Sequence, residues 1–332
     1  MDDVWMRRAM DLADRGSGLV SPNPLVGAVV VRGGDVVGEG WHKGPGRQHA
    51  EVLALEAAGK SARGATLYLT LEPCTHQGRT PPCAPRVISS GVERVVVAAV
   101  DPNPLVDGGG VVALREAGID VETGVLEGEA LRQNAGFVKH IRTGLPHVTL
   151  KMAASLDGKA AARDGTSRWI SGGPAREEVH RLRAAAGAVM VGAGTAFRDD
   201  PSLTARHPAY PGRHPLRVIV DGAGIVPETH QVFTDGQAPT LVATSEAAPS
   251  ERTQAWREAG AEVLLPSEPG SHRVALERLL AELGKREIQR VLIEGGPTLA
   301  WEVVRTGLVD ELVLFFAPIL VGGRDAPSLL MG

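Results

Sequence analysis

His49-Ala50-Glu51 and, after an apolar run, Leu71-Glu72-Pro73-Cys74-Thr75-His76-Gln77-Gly78-Arg79-Thr80-Pro81-Pro82-Cys83 bring both cysteines of a 332-residue chain beside a His-x-Glu. Zinc binds imidazole nitrogen and thiolate sulfur, and a catalytic zinc keeps three protein ligands with its fourth position open to water. His49, Cys74 and Cys83 supply such a set, which leaves Glu51 free to move protons. Two other readings stand beside this one. The cysteines could be small buried hydrophobes, or they could pair as a disulfide, which needs an oxidising compartment of which the sequence shows no sign. Concurrence of both cysteines, Pro73 and the His-x-Glu in one stretch favours the metal.

His-x-Glu followed by Pro-Cys-x-x-Cys is the mark of zinc deaminases acting on nucleobases. Here eight residues, 75–82, separate the cysteines instead of two. The surrounding pattern alternates helix and strand. Trp5 to Arg15 has helical spacing, and Ser21-Pro22-Asn23-Pro24 breaks the chain. Val26 to Val31 reads as a buried strand and Val36 to Trp41 as its hairpin partner. His49 opens a helix that ends near Gly59, and the strand Thr66 to Leu71 delivers Pro73-Cys74 at its carboxyl end. A helix from Cys83 to Gly91, a strand from Arg94 to Val100, a helix from Gly109 to Ala117 and a strand from Ile119 to Glu122 follow. One helix from Glu127 to Arg142 closes the segment. Such alternation implies a sheet with helices on its faces, and thiolates at strand-to-helix junctions gain from the helix dipole.

Arg142-Thr143-Gly144-Leu145-Pro146 reads as a linker between a domain over 1–143 and another over 147–332. The second begins with the strand His147 to Ala153, followed by a helix from Pro174 to Ala185. A strand from Ala188 to Val191 ends in Gly192-Ala193-Gly194-Thr195. Arg217 to Asp221, Thr240 to Thr244, Glu262 to Leu265, Arg290 to Glu294 and Asp310 to Ala317 are further strands. Glu251 to Ala259 and Arg273 to Leu283 are helices. Gly295-Gly296, between a strand and a helix, suits the cradling of a phosphate by backbone N–H groups. A merely tight connection fits the same residues, which match neither the Walker loop nor the Gly-x-Gly-x-x-Gly fingerprint.

Hydrophobic residues make up 43% and charged residues 22% of the chain, as in ordinary globular proteins. The start Met1-Asp2-Asp3-Val4-Trp5 lacks the apolar run of a signal peptide, and no stretch is apolar enough to span a bilayer. A cytoplasmic protein is expected. A net charge of −4 and 4% aromatic residues argue against nucleic-acid and membrane partners and for small-molecule substrates.

The ordered motifs resemble the family of bifunctional riboflavin-biosynthesis deaminase/reductases over nearly the whole chain. The matching segments are Pro22-Asn23-Pro24, Val26-Gly27, Gly40-Trp41-His42, His49-Ala50-Glu51, Leu71-Glu72-Pro73-Cys74 and Gly78-Arg79-Thr80-Pro81-Pro82-Cys83. Asp101-Pro102-Asn103-Pro104, Lys151, Ser155-Leu156-Asp157-Gly158, Trp169-Ile170 and Glu294-Gly295-Gly296-Pro297-Thr298 match as well. The resemblance implies an α/β chain: a cytidine-deaminase-like three-layer domain followed by a dihydrofolate-reductase-like domain. It implies zinc-dependent deamination of 2,5-diamino-6-(5-phosphoribosylamino)pyrimidin-4(3H)-one, then NADPH-dependent reduction of the ribosyl group to ribityl. One zinc per chain, NADPH and a homo-oligomer, dimer or tetramer, belong to the same expectation.

By position, the resemblance gives Glu51 the proton shuttle and Asn23 the pyrimidine. His42, His76 and Arg79 fall at the phosphoribosyl end or the pocket wall, although packed surface roles fit these histidines equally. Lys43 and Arg47 read as solvated. Ala153, Trp169, Thr195, Asp199 and the run Gly296-Pro297-Thr298-Leu299-Ala300-Trp301-Glu302 match cofactor positions, with Asp221 at its strand end a further candidate. Ser167, Arg183, Leu203, Arg206 and Glu294 match reductase substrate positions; guanidinium forks suit a phosphate monoester, while salt bridges are their structural alternative. Two departures stand out. Gly109 replaces a residue that is commonly basic in the family, and the family usually continues beyond Met331-Gly332, so an incomplete reductase fold is expected. The rivals are a nucleoside or RNA-base deaminase with an unrelated second domain, and a binding protein whose zinc is closed by a fourth protein ligand.

Overall fold

The structure is a computed structural model; it describes the chain apart from Arg79, Leu105, residues 165–171, 209–213 and 268–270, and His272. Backbone contacts divide it into two units, Met1–Thr143 and Gly144–Gly332, each with its own sheet. No helix among the described residues is long and apolar enough to cross a membrane.

In the first unit the strands are β1 (Gly27–Arg32), β2 (Asp35–Trp41), β3 (Thr66–Leu71), β4 (Arg94–Ala99) and β5 (Asp120–Thr123). Their order is β2-β1-β3-β4-β5. The β1 strand runs antiparallel to β2 and β3, whereas β3, β4 and β5 are mutually parallel. Alternate side chains of β1 serve opposite faces. Ala28 and Val30 pack with Ala50, Ala54, Val87 and Leu114 on one side, and Val29 and Val31 with Met6, Met10 and Phe137 on the other. The continuous β-branched run is therefore a consequence of helices on both faces, and the unit has three layers.

Gly38 and Gly40 on β2 bring the helix Ala50–Ala58 close. A Cβ at Gly40 would lie 2.3 Å from the carbonyl oxygen of Ala50, and one at Gly38 would lie 2.2 Å from that of Ala54. This contact sets the height of the helix that carries Glu51. The expected single helix over 127–142 is in fact two, Glu127–Gln133 and Ala135–Thr143. Buried Asn134 stands at the break, where its side chain accepts from Leu25 N–H (2.8 Å) and donates to Leu25 O (2.9 Å). A long-range demand on the Asn134 amide thus overrides helical periodicity.

The second unit is a seven-stranded sheet in which every pairing is parallel. Its strands are β6 (His147–Ser155), β7 (Ala188–Gly192), β8 (Leu216–Val220), β9 (Thr240–Ala243), β10 (Glu262–Leu264), β11 (Arg290–Glu294) and β12 (Glu311–Ala317). Their order, β10-β9-β8-β7-β11-β6-β12, inserts β11 between β6 and β7. Carboxyl ends of parallel strands are where ligands bind such sheets, and here those of β8, β7, β11 and β6 lie side by side. The segment Gly192-Ala193-Gly194-Thr195 that ends β7 leads into a short helix, Ala193–Asp199. The helix expected from Arg273 begins instead at Leu276, because Ser271 Oγ holds the Arg273 N–H and Pro266 O holds that of Ala275.

Candidate active sites

His49 is the N-cap residue of the helix Ala50–Ala58, in extended conformation, so its side chain stands outside the helical turn that holds Glu51. Its Nδ1 faces Cys83 Sγ at 3.0 Å and Cys74 Sγ at 3.7 Å, and its Nε2 lies 3.1 Å from Thr80 Oγ1. The three donor atoms of His49, Cys74 and Cys83 lie within 4.8 Å of one another, and among the described residues no fourth metal-ligating side chain joins them. The Cys74 thiol is drawn down to about 4, first by a hydrogen bond from Cys83, against its burial, and then by His49. Cys83 is pushed up, first by the same bond to Cys74 and then by burial. His49 is raised, first by the Cys74 sulfur beside it. Two sulfurs and an imidazole converging around one space, with a proton held between the sulfurs that a cation displaces, fit a zinc ion.

Glu51 is 4% exposed, and its Oε2 is buried without a hydrogen-bond partner. Burial raises its pKa before any other influence, opposed by His49. A carboxyl in such surroundings holds its proton to higher pH than a solvated one, as a proton carrier requires.

Asn23 follows a cis Ser21–Pro22 bond. Its Nδ2 lies 2.9 Å from His42 Nε2, and His42 Nδ1 lies 3.3 Å from Gln48 O. His42 is 3% exposed, and burial lowers its pKa. The neutral ring donates from Nδ1 to Gln48 and accepts at Nε2 from Asn23, which fixes the Asn23 amide. His76 Nδ1 is buried without a partner, and Arg79 lies outside the described residues. Gly109 begins the helix Gly109–Glu116, where an added Cβ would meet Thr75 Oγ1 at 3.3 Å. Sequence reasoning passed over Glu72, which is 4% exposed. Its carboxylate accepts from the N–H groups of Asp101 (3.1 Å), Gly108 (3.1 Å) and Val111 (2.9 Å), so it ties down the loop that follows β4. A glutamate beside Pro73-Cys74 at a strand end was the available signal.

In the second unit a cavity of about 820 Å³ opens over the carboxyl ends of β7, β8 and β11. Thr195, Asp221, Gly296, Pro297, Thr298, Leu299, Trp301 and Glu302 line it. Gly295 and Gly296 have φ of +65° and +82°, and a Cβ at Gly296 would lie 3.2 Å from Thr195 Oγ1. The turn and the start of the helix Pro297–Arg305 thus form a cradle that only glycine leaves open. The cavity is of the size that holds a large ligand, and cradle and cavity together fit a dinucleotide phosphate. Asp221 is fully buried, with its carboxylate accepting from Gly224 and Val226 N–H at 2.8 Å each, so it builds the loop after β8. Ala300 is packed in the core, Asp199 is exposed at the end of its helix, and Ala153 lies on β6. Trp169 and Ser167 lie outside the described residues.

Glu294 stands at the end of β11, in register with Lys151 on β6. Arg183 grips its carboxylate with both arms, Nε to Oε1 at 2.5 Å and Nη2 to Oε2 at 3.0 Å, and donates from Nη1 to Thr204 O. Lys151 Nζ is 3.9 Å from Glu294 Oε2. Burial alone would raise Glu294, but Arg183 and Lys151 hold it below the ordinary carboxylate range. Lys151 itself is lowered, first by burial. Leu203 is 2% exposed with φ of +52°. Arg206 is exposed, its Nη1 reaching Ser202 Oγ at 3.0 Å.

Residues 146–332 match the RibD C-terminal domain family, and residues 1–99 match the cytidine and deoxycytidylate deaminase zinc-binding region. The riboflavin biosynthesis protein RibD of Bacillus amyloliquefaciens is 46% identical over 100% of this chain and 88% of its own length.

The chain belongs to the RibD family.

The Escherichia coli RibD is 43% identical over 99% of this chain and 90% of its own. A solved Acinetobacter baumannii RibD superposes with a TM-score of 0.85 at 41% identity, covering 100% of this chain and 90% of that one. The Thermotoga maritima diaminohydroxyphosphoribosylaminopyrimidine deaminase/5-amino-6-(5-phosphoribosylamino)uracil reductase gives 0.86 at 39% identity, covering 99% and 89%. Like its family, the chain is a bifunctional riboflavin-biosynthesis enzyme, a zinc-dependent deaminase and an NADPH-dependent reductase, and its α/β architecture is the one that the motifs imply.

Proposed function

We propose that the two reactions divide between the units, 1–143 for deamination and 147–332 for reduction, with the roles that follow. His49, Cys74 and Cys83 hold the zinc, which supplies a coordinated water of lowered pKa. Glu51 takes a proton at its carboxylate and returns it to the departing amino nitrogen. Asn23, fixed by His42, orients the pyrimidine of 2,5-diamino-6-(5-phosphoribosylamino)pyrimidin-4(3H)-one, and His76 and Arg79 serve its phosphoribosyl end. The observation that carries this reading is the buried carboxyl of Glu51, its Oε2 without a hydrogen-bond partner, beside a three-donor group.

In the reductase half, Gly296 and the start of the helix Pro297–Arg305 seat a cofactor phosphate beside Thr195, and Thr298 to Glu302 extend that wall. NADPH supplies the hydride. Arg183 is committed to Glu294 and positions its carboxylate with Lys151 behind it, so Arg206 takes the larger share of the substrate phosphate. Ala153, Ser167, Trp169, Asp199, Leu203 and Asp221 complete the pocket by family position. The substrates are small molecules, and the location is cytoplasmic, without nucleic-acid or membrane partners. Self-association is supported by the edge strand β12, where Leu312 and Phe316 are 54% and 57% exposed. Elemental analysis of the purified protein tests the metal assignment. One zinc per chain, lost in Cys74→Ser, is the expected result; no stoichiometric zinc, or full metal in that variant, contradicts it.

A further inference from the structure

The loop between the two cysteines has a hydrogen-bonded form of its own. Cys83 N–H and Ala84 N–H both donate to Cys74 O at 3.1 Å, which pinches its ends together. Inside it, Gly78 N–H and Gln77 Nε2 donate to Thr80 O, each at 3.3 Å, and so fix the Thr80 backbone. The Thr80 hydroxyl, half-buried, is thereby presented to His49 Nε2 at 3.1 Å, on the side of the ring away from the sulfurs.

A neutral imidazole carries one proton, and the nitrogen that binds a metal must be the other one. His49 Nδ1 faces the sulfurs, so a metal there requires the proton on Nε2, where Thr80 Oγ1 is the acceptor within reach. We propose that Thr80 is a positioning residue of the metal centre, setting the tautomer and ring angle of His49 through this hydrogen bond. The inference rests on the zinc reading above. It also gives the long cysteine spacing a physical purpose. Two residues between cysteines make no more than a single turn; eight leave room for a loop whose ends close on Cys74 O and whose Thr80 hydroxyl reaches the histidine ligand.

Partners of this kind change metal affinity by roughly 10–100-fold when removed. The test uses the full-length protein and two substitutions that split the threonine side chain. Thr80→Val keeps its shape and loses the hydroxyl, while Thr80→Ser keeps the hydroxyl and loses the methyl. Zinc affinity is measured by competition with a chelator, and parental circular dichroism and a parental urea transition of the first unit show that each variant is folded. The expected result is zinc bound about 10–100-fold more weakly by Thr80→Val and close to parental affinity in Thr80→Ser. Nitrogen NMR of the His49 ring in the zinc-loaded protein should report an Nε2–H that exchanges slowly with solvent in the parent and in Thr80→Ser, and faster in Thr80→Val. Parental affinity in Thr80→Val, or equal weakening in both variants, would overturn the proposal, since the methyl or nothing at all would then be acting. A parent protein that binds no zinc defeats the metal reading itself, a separate outcome.

Discussion

Arg183 and Glu294 form a two-armed ion pair, with side chains only 12% and 9% exposed, at the end of β11. Lys151 brings a second cation to the same carboxylate. Buried pairs contribute little net stability over an apolar pair, but removing one member strands the other's charge. Glu294→Gln therefore leaves two cations in poorly solvated surroundings. We expect it to destabilise the second unit by about 3 kcal/mol and to impair reduction, while Arg183→Met,Glu294→Leu recovers part of the stability but not the activity. Equilibrium denaturation of the three proteins measures this; single and double variants of equal stability would contradict it.

The Asn23–His42 contact makes the stability of the first unit depend on pH. Burial places the His42 pKa below its ordinary 6.5, so the unfolded chain takes up that proton first. The contribution of His42 to stability is thus complete above 6.5 and is lost as pH falls through the lower folded-state value. Between about pH 7.5 and about pH 5.5 the parent should lose more stability than His42→Gln does. Paired urea titrations at the two pH values give the difference, and equal losses would show that His42 is not held neutral by the fold.

Gly296 and Arg206 separate cofactor from substrate. Gly296→Val adds a Cβ about 3.2 Å from Thr195 Oγ1 at a φ of +82°, blocking the cradle and straining the backbone by about 1–2 kcal/mol. The NADPH dissociation constant should rise at least ~10-fold, matching that energy in the bound geometry. Arg206→Ala should raise the substrate KM and leave NADPH affinity nearly unchanged, because a guanidinium–phosphate pair is local. Fluorescence titration of NADPH into both variants distinguishes them. The reverse pattern would exchange the two pockets.

Much of this was legible in the chain because the motifs are local. His49, Glu51, Cys74 and Cys83 lie at strand-to-helix junctions, which hydrophobic periodicity already located, and β3 and β11 fall where their apolar runs predict. What sequence left open depends on partners distant in the chain. Asn134 breaks its helix to serve Leu25, and Glu72 reaches N–H groups across the loop after β4. Asp221 looks like a ligand at a strand end, yet its carboxylate is taken by Gly224 and Val226. Arg183 looks like a phosphate fork, yet Glu294 fills it. In each case the residue type was visible and its partner was not.

Deamination and reduction are carried by separate residues, and Glu51 gives the most direct test. Glu51→Gln keeps the shape of the side chain and all three metal donors but removes the proton carrier. It should retain one zinc per chain and lose deamination by at least ~100-fold, the usual scale for a general acid–base group. Reduction of the already deaminated substrate should proceed at the parental rate. Loss of both activities in folded, zinc-loaded protein, or deamination that survives the substitution, would contradict the account.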